Sequence, residues 1–521
     1  MTPGHQPESE LAWREGRLTL ALLLTVSVAA PVRASGSASA PSKEAPAVDV
    51  VAPGREAGPE RPLLASLGIA QPGGIGPSLP GPMPRGEGGL ERRLRDPYVL
   101  PALESAALHV AVMNWNRHVG AAPWADVTPR AVGRNLGSSW VLDDNAYFVN
   151  QLGHPYQGTF AYTAARSAGL GFWTSTAYPF AASAAWEVAG ETERPALNDQ
   201  VTTTVAGVVL GEILYRVSGW VRGDGRNPWR QATSSLLAPM TTLNRALGTG
   251  AVAEQPTSVS VEARVGVLGA PGAIASTQGR VLGRPAPVAA VRVRQGLPGD
   301  PDFSFDRPFD HFDLEAAMAP SDQTYLSLRA RGLVAGEELG GDGEGAGLWG
   351  LWLGFDLESP GVRRVSTSTV GLGVTGRRAV ADGIELEGTA IGSAVLIGAA
   401  GVVERPAGSD KDYRMGPGTQ ATMELGLDLG TRFRAGVEAR HVLIFGAGDQ
   451  AGSDQLLEGR LSGLVRLAGQ HGLRVEAGRF LRLAREANGP DVRQGGTLVE
   501  VSWVFGSGIG RFGTERGATA L

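Results

Sequence analysis

The 521-residue chain has no cysteine, only two lysines (Lys43 and Lys411), seven histidines and 6% aromatic residues. Each shortage excludes something. Without cysteine there is no disulfide framework, no thiolate zinc or iron–sulfur site and no cysteine nucleophile. Seven scattered histidines leave little room for a multi-histidine metal site, and this reading assigns no metal and no cofactor. A net charge of −5 lacks the basic footprint of a nucleic-acid-binding protein, so nucleic acid is not expected as a partner. Beyond the N-terminus no stretch approaches ~18 uninterrupted apolar residues, so a membrane crossing is expected to be made by strands. The abundant residue is glycine, with 75 positions. That is roughly twice the usual ~7% share.

Arg14 and Arg17 precede an apolar run, Leu18 to Ala30, and Val32-Arg33-Ala34 supplies the small residues that a signal peptidase reads. Residues 1–34 therefore read as a secretory signal peptide, too short for a comfortable transmembrane span. Residues 35–95 are rich in Pro, Gly and Ala without lasting periodicity and read as a disordered linker.

Residues 96–250 read as an all-α module. Leu100, Leu103, Ala107 and Val110 recur at helical spacing from Tyr98 to Arg117. A second helix opens at His154-Pro155 and runs to Gly169, and a third covers about Ser175 to Glu187. A fourth follows Pro195, with Asn198 as N-cap and Asp199 in the first turn, and continues to Val217. On it, Gly207 and Gly211 four residues apart allow close approach of a neighbour. A last helix covers Trp229 to Leu247.

The ionisable residues of this module are the candidate site. His154, Glu187, Glu191 and Asp199 are the catalytic candidates, with His154 as general base or metal ligand among carboxylates. Asp143, Asp144, Arg166, Glu212 and Arg216 are the binding candidates. Glu187 and Glu191 share a helix face if the helix runs that far, and Glu212 and Arg216 have the spacing of an intrahelical pair. The competing reading is capping, ion pairing and buried hydrogen bonds that fix the helix packing. One histidine among carboxylates matches no HExxH spacing, and no serine sits in a GxSxG elbow.

The run Trp140, Asp143-Asp144, Asn150, Gly153-His154-Pro155-Tyr156, Gly158, Ala165-Arg166-Ser167, Gly169 and Phe172-Trp173 is a signature in order and spacing. It continues through Ser183, Trp186-Glu187, Glu191, Pro195, Asn198-Asp199, Gly207 and Leu210-Gly211-Glu212. Over about residues 100–220 it resembles the bacterial domain-of-unknown-function family thirty-nine forty-three. The resemblance implies a Gram-negative cell-envelope protein and supplies no activity. Ala196 departs from the serine expected after Pro195, which speaks against a serine nucleophile there.

From about residue 255 to 507 the period switches to two. Val259 to Val267, Phe312 to Met318, Trp349 to Leu357, Ala421 to Leu429, Phe433 to Ala439, Leu457 to Leu467 and Val499 to Phe505 alternate apolar with polar or small residues. Segments of about ten residues suit tilted strands crossing a bilayer. Gly430-Thr431 and Gly469 to Gly472 read as tight turns, and 336–346, 404–418, 446–455 and 485–495 as long polar loops. If Gly392-Ser393 is also a turn the count is about 13, an odd number that single-chain bacterial barrels avoid, so one strand between 258 and 268 or 384 and 403 is in excess. The mixed charges of Arg432, Arg434, Glu438, Arg440, Arg460, Arg466, Arg474 and Glu476 predict a salt-bridged lumen, filled rather than open. Residues 508–521 form a polar tail.

The expected protein is an α+β multidomain chain: an N-terminal all-α module followed by a C-terminal antiparallel outer-membrane-type β-barrel of about 12 strands. It is expected to be exported to the outer membrane, with a periplasmic module that plugs the barrel or docks below it. Its partners would be outer-membrane lipid and a periplasmic protein, and its role structural or transport-type rather than enzymatic. The alternatives are an envelope hydrolase acting on lipid or glycan at the His154 cluster, and a secreted lipid- or protein-binding module using Trp173, Tyr178, Phe180 and Trp186.

Overall fold

The computed structural model describes residues 95–506, apart from short stretches at 252–257, 271–283, 301–302, 321–324, 341–344, 360–362, 402–410, 448–450 and 488–490. The expected signal peptide, the linker up to residue 94 and the tail at 508–521 lie outside the described residues.

Among the described residues seven α-helices come first: α1 (Val99–His118), α2 (Pro129–Gly137), α3 (His154–Ser167), α4 (Phe172–Ala189), α5 (Leu197–Arg222), α6 (Pro228–Leu237) and α7 (Pro239–Ala246). Proline in the first turn opens α2, α3, α6 and α7, where its missing N–H costs nothing. Three expectations change. Asn198 is not an N-cap but lies inside α5, whose cap residue is Ala196. The expected helix from Trp229 to Leu247 breaks at Ala238-Pro239, because proline supplies no N–H to continue the ladder. The short helix α2 adds an element with a Thr128 side-chain cap.

Twelve strands follow. They are β1 (Val259–Gly269), β2 (Ala286–Gln295), β3 (Phe312–Ala319), β4 (Tyr325–Leu339), β5 (Gly345–Ser359) and β6 (Val365–Ala381), then β7 (Ile384–Ala400), β8 (Arg414–Leu429), β9 (Phe433–Gly446), β10 (Gly452–Ala468), β11 (His471–Glu486) and β12 (Val492–Gly506). Each pairs antiparallel with its sequence neighbours, and β1 closes on β12 from Glu262↔Gly506 to Gly269↔Val499. Gly383, Gly430 and Gly469, all at positive φ, make the tight hairpins at one end of the barrel, here the turn end. The opposite, loop end carries the connections that include 360–364, 401–413, 447–451 and 487–491.

Closure settles the odd strand count. Gly392 and Ser393 pair with Leu372 and Gly371 in the middle of β7, so 384–400 is one strand. A strand glycine there marks close backbone approach rather than a turn. The β4–β5 connection near 340–344 accordingly falls at the turn end, not among the long loops, and Glu337 and Glu338 belong to β4.

The lumen is filled in layers. At the loop end Leu268, Val288, Tyr325, Val442, Ile444, Leu456 and Phe480 form an apolar layer. Below it arginines and carboxylates meet across the barrel. Arg292 on β2 reaches Glu424 on β8 at 2.6 Å. Arg329 on β4 pairs with Glu358 at 2.6 Å, Glu458 at 3.4 Å and Glu438. Arg363 holds Glu458 at 2.5 Å, and Arg440 holds Asp356 at 3.0 Å. The turn end keeps a cavity of about 140 Å³ lined by Arg292, Arg294, Glu387, Glu424 and Arg434.

The helical module neither enters the lumen nor stands apart. It packs on the outer wall, where α5 contacts β4, β5, β6 and β7. The outward residues Leu328, Ala330, Phe355, Leu357, Ser366, Ser368, Ile397 and Ala399 are buried beneath it. Over β8–β12 and β1 the same outward parity leaves Leu425, Val437, Leu461, Val475, Val501 and Val265 exposed.

Candidate functional site

The site forms where two stretches of the module converge. Val141 and Ala196 make an isolated parallel bridge, with Val141 N–H donating to Pro195 and Leu197 N–H donating to Val141. This places Asp143 beside the first turn of α5. The Asn198 amide donates to Asp143 Oδ1 at 2.8 Å and to Asp199 Oδ1 at 2.7 Å, while Asp143 N–H donates to Asn198 Oδ1. Asn150 and Asn145 donate to the two oxygens of Asp143 at 2.5 and 2.6 Å. Asp143 therefore holds three neutral amide donors, and its carboxyl also meets that of Asp199.

His154 begins α3, Glu187 lies in the last turn of α4, and Asp199 in the first turn of α5. The three are 8%, 0% and 1% exposed, and each offers a nitrogen or carboxylate oxygen within 4.8 Å of the other two. His154 Nε2 stands 3.5 Å from Asp199 Oδ2. Glu187 Oε2 accepts the Ala196 N–H at 2.7 Å, no N–H or hydroxyl reaches its Oε1, and its carboxyl shares a hydrogen bond with that of Glu191. The backbone at Ala196 thus does work that no serine hydroxyl is needed for. Glu191 lies past the end of α4, yet its carboxyl still meets that of Glu187. Burial first, then the charges of Glu187, Glu193 and Asp143, hold the Glu191 carboxyl well above the usual carboxylate range. Asp144 is exposed.

The barrel contributes too. Lys411 Nζ donates to the Asp143 carbonyl at 3.2 Å, and the Asn150 amide donates to the Tyr413 hydroxyl at 2.8 Å. Tyr413 in turn donates to the Asn145 carbonyl. Sequence reasoning missed Lys411, Tyr413 and Asn150 as members of this cluster. The signal that could have found Lys411 is its rarity, since it is one of only two lysines.

Arg166, Glu212 and Arg216 form a second, separate group. Glu212 accepts from Arg166 Nε and Arg216 Nε, both at 2.7 Å, and from the Tyr162 hydroxyl at 2.8 Å. Arg216 continues to Asp310 at 3.0 Å and the Pro308 carbonyl at 2.8 Å, and Arg166 stacks over Tyr215. This network ties α3 and α5 to the β2–β3 connection at the turn end. The His154 cluster ties the opposite end of α5 to the segment before β8.

The fold and site define a closed, filled antiparallel β-barrel of outer-membrane type with a helical module clasped to its outer wall. Residues 139–240 match the family model described as Domain of unknown function (DUF3943). The match starts later and ends later than the span read from the sequence. No curated protein matches the chain. Among solved structures the chain is similar to the KdgM porin, at 12% identity and TM-score 0.22, over 47% of this chain and 98% of that one. It is also similar to the NanC porin (8%, TM-score 0.27, 47% and 98%). The outer membrane channel DcaP of Acinetobacter baumannii matches at 8% identity and TM-score 0.23, over 48% and 96%. The barrel itself is established by the closed ladder of this chain.

Proposed function

We propose that the chain is an outer-membrane protein with a structural role, whose barrel is a closed scaffold that holds the helical module beside it in the bilayer. The observation that carries the reading is the filled lumen: an apolar layer at the loop end lies over ion pairs that bridge opposite walls. Arg363 passes from the loop end through this cluster to Glu458, so the lumen is blocked by apolar side chains packed among locked ion pairs. The exposed apolar parity of β8–β12 and β1 supports a lipid-facing wall, with Arg479 as an outward-facing exception.

The module's placement supports a position in the bilayer rather than below it in the periplasm. The helix α5, 26 residues long, runs between the loop-end and turn-end anchors described above, and is long and apolar enough to cross a membrane. The outer faces of α1 and α4 expose Leu103, Val110, Trp115, Trp173 and Phe180. Charged residues gather instead near the two ends, with Arg117, Asp126, Arg130 and Arg194 at one and Arg222, Asp224, Arg226 and Arg230 at the other. Trp173 and Phe180 then meet lipid, while Trp186 is packed against His109 and Trp124.

Planar-bilayer recording tests the scaffold reading. The purified full chain is expected to give no steady conductance, and a variant carrying Phe480→Ala and Ile444→Ala with Arg329→Ala is expected to conduct. Porin-like conductance from the unaltered chain would overturn it. Recovery of the protein in the soluble periplasmic fraction would overturn the membrane location.

A second reading, an envelope hydrolase for lipid or glycan, is favoured by the convergence of His154, Glu187 and Asp199 near the loop end. It predicts an activity on envelope lipid or glycan that His154→Ala abolishes. Absence of such activity from outer-membrane preparations of an overproducing strain would remove it.

A further inference from the structure

The hydrogen bonds around the loop-end cluster leave a particular remainder. Asp199 Oδ1 is taken by Asn198 and Glu187 Oε2 by the Ala196 N–H. What is left is Asp199 Oδ2, His154 Nε2 and Glu187 Oε1. Asp199 Oδ2 and His154 Nε2 are 3.5 Å apart, beyond a good N–H···O bond. Glu187 is 0% exposed; no N–H or hydroxyl reaches its Oε1, and the group its carboxyl meets is the carboxyl of Glu191. Buried carboxyl groups that face one another coexist only with protons or a cation between them, so the cluster requires an explanation.

We propose that His154, Glu187 and Asp199 bind one divalent first-row transition cation, of the Zn²⁺ or Mn²⁺ class. Three independent features meet here. The donor set is one imidazole and two carboxylates, which suits zinc, manganese or ferrous iron and is a poor choice for calcium or magnesium. The spacing fits: the three donor atoms lie within 4.8 Å of one another, with His154 Nε2 and Asp199 Oδ2 at 3.5 Å, against roughly 3–4 Å for ligands held at about 2.1 Å from one ion. The outer shell is already built, because Asn198 fixes Asp199 and the Ala196 N–H fixes Glu187, each through one carboxylate oxygen. Glu191 stands next to Glu187 as a further carboxylate, and Asp143, which carries the Asn145 and Asn150 amides, also meets the Asp199 carboxyl. The sequence singled out these residues but matched them to no ligand motif, since they come from three helices that meet only in the fold.

The inference does not depend on whether the barrel conducts or on any hydrolase activity. The test uses the detergent-purified full chain, stripped with EDTA and equilibrated with Zn²⁺ or Mn²⁺, with Ca²⁺ as comparison. One Zn²⁺ per chain is expected, with affinity lowered about tenfold or more by His154→Ala or Glu187→Gln. Asp224→Asn, on an exposed surface pair at the other end of the module, should leave it unchanged. Because either ligand variant could disturb the fold, the unaltered protein supplies a second measurement. Electron spin-echo modulation of bound Mn²⁺ is expected to show coupling to an imidazole nitrogen. Sub-stoichiometric binding, binding indifferent to both ligand variants, or bound Mn²⁺ without nitrogen coupling would each overturn the proposal.

Discussion

Glu212 shows how a charge can be buried and still stabilise. It is fully buried, and its two oxygens receive Arg166, Arg216 and the Tyr162 hydroxyl. Removing one partner from such a network leaves an uncompensated charge, at a cost of about 3–5 kcal/mol. Glu212→Gln is therefore expected to lower the unfolding midpoint of the detergent-solubilised protein substantially, while Arg226→Ala, on an exposed surface pair, leaves it within error. Scanning fluorimetry of both variants checks this. At this scale the sequence was informative about residue identity and silent about partnership. His154, Glu187, Asp199, Arg166, Glu212 and Arg216 could all be picked out as polar residues in an apolar module. Their division into one group neutralised by arginine and another in which carboxyls face one another depends on Tyr162, Asn198 and Ala196, whose roles are set by tertiary contact.

Helix α3 meets α5 at a distance that only glycine permits. A Cβ on Gly158 would lie 1.9 Å from the Thr203 carbonyl oxygen, and one on Gly207 would lie 2.7 Å from the Gly158 backbone. The backbone of a rigid helix cannot yield to such an overlap. Gly158→Leu is expected to cost more than the ~1–3 kcal/mol of ordinary overpacking. The barrel has its own closed ladder, so the expected result is selective. Limited proteolysis should cut the module of this variant while the barrel keeps its heat-modifiable gel migration. The Gly207 and Gly211 spacing announced this contact in advance, as the alternation of Val259–Val267 and Ala421–Leu429 announced strands. Gly392-Ser393 misled because a glycine inside a strand and one in a turn look alike until pairing is known. That the module lies on the outer wall was hardly legible, since covered and lipid-facing strand residues are both apolar. The exception is β6, where the outward Ser366 and Ser368 lie fully buried. Small polar side chains suit a closely packed helix better than lipid.

At the scale of the whole molecule the barrel wall has two kinds of cover, protein over β4–β7 and, in our reading, lipid over β8–β12 and β1. The same layer of lipid must then continue around the module, because a helix packed along a membrane-spanning wall shares its depth. The outer face of α4 fits this: Trp173, Thr174, Ala177, Phe180, Ala181, Ala185 and Ala189 are exposed and carry no charge. At 1.5 Å per residue its 18 residues rise about 27 Å, close to the ~30 Å of a hydrocarbon core. A periplasmic module would place this face in water. The absence of cysteine makes the two placements easy to separate, since a single introduced thiol is the only one to label. In reconstituted protein with Ala181→Cys bearing a nitroxide, collision with oxygen is expected to exceed collision with a water-soluble nickel chelate. A label at Asp224→Cys, near the turn end, should show the reverse. Equal, water-like accessibility at both positions would return the module to the periplasm and leave the barrel alone in the membrane.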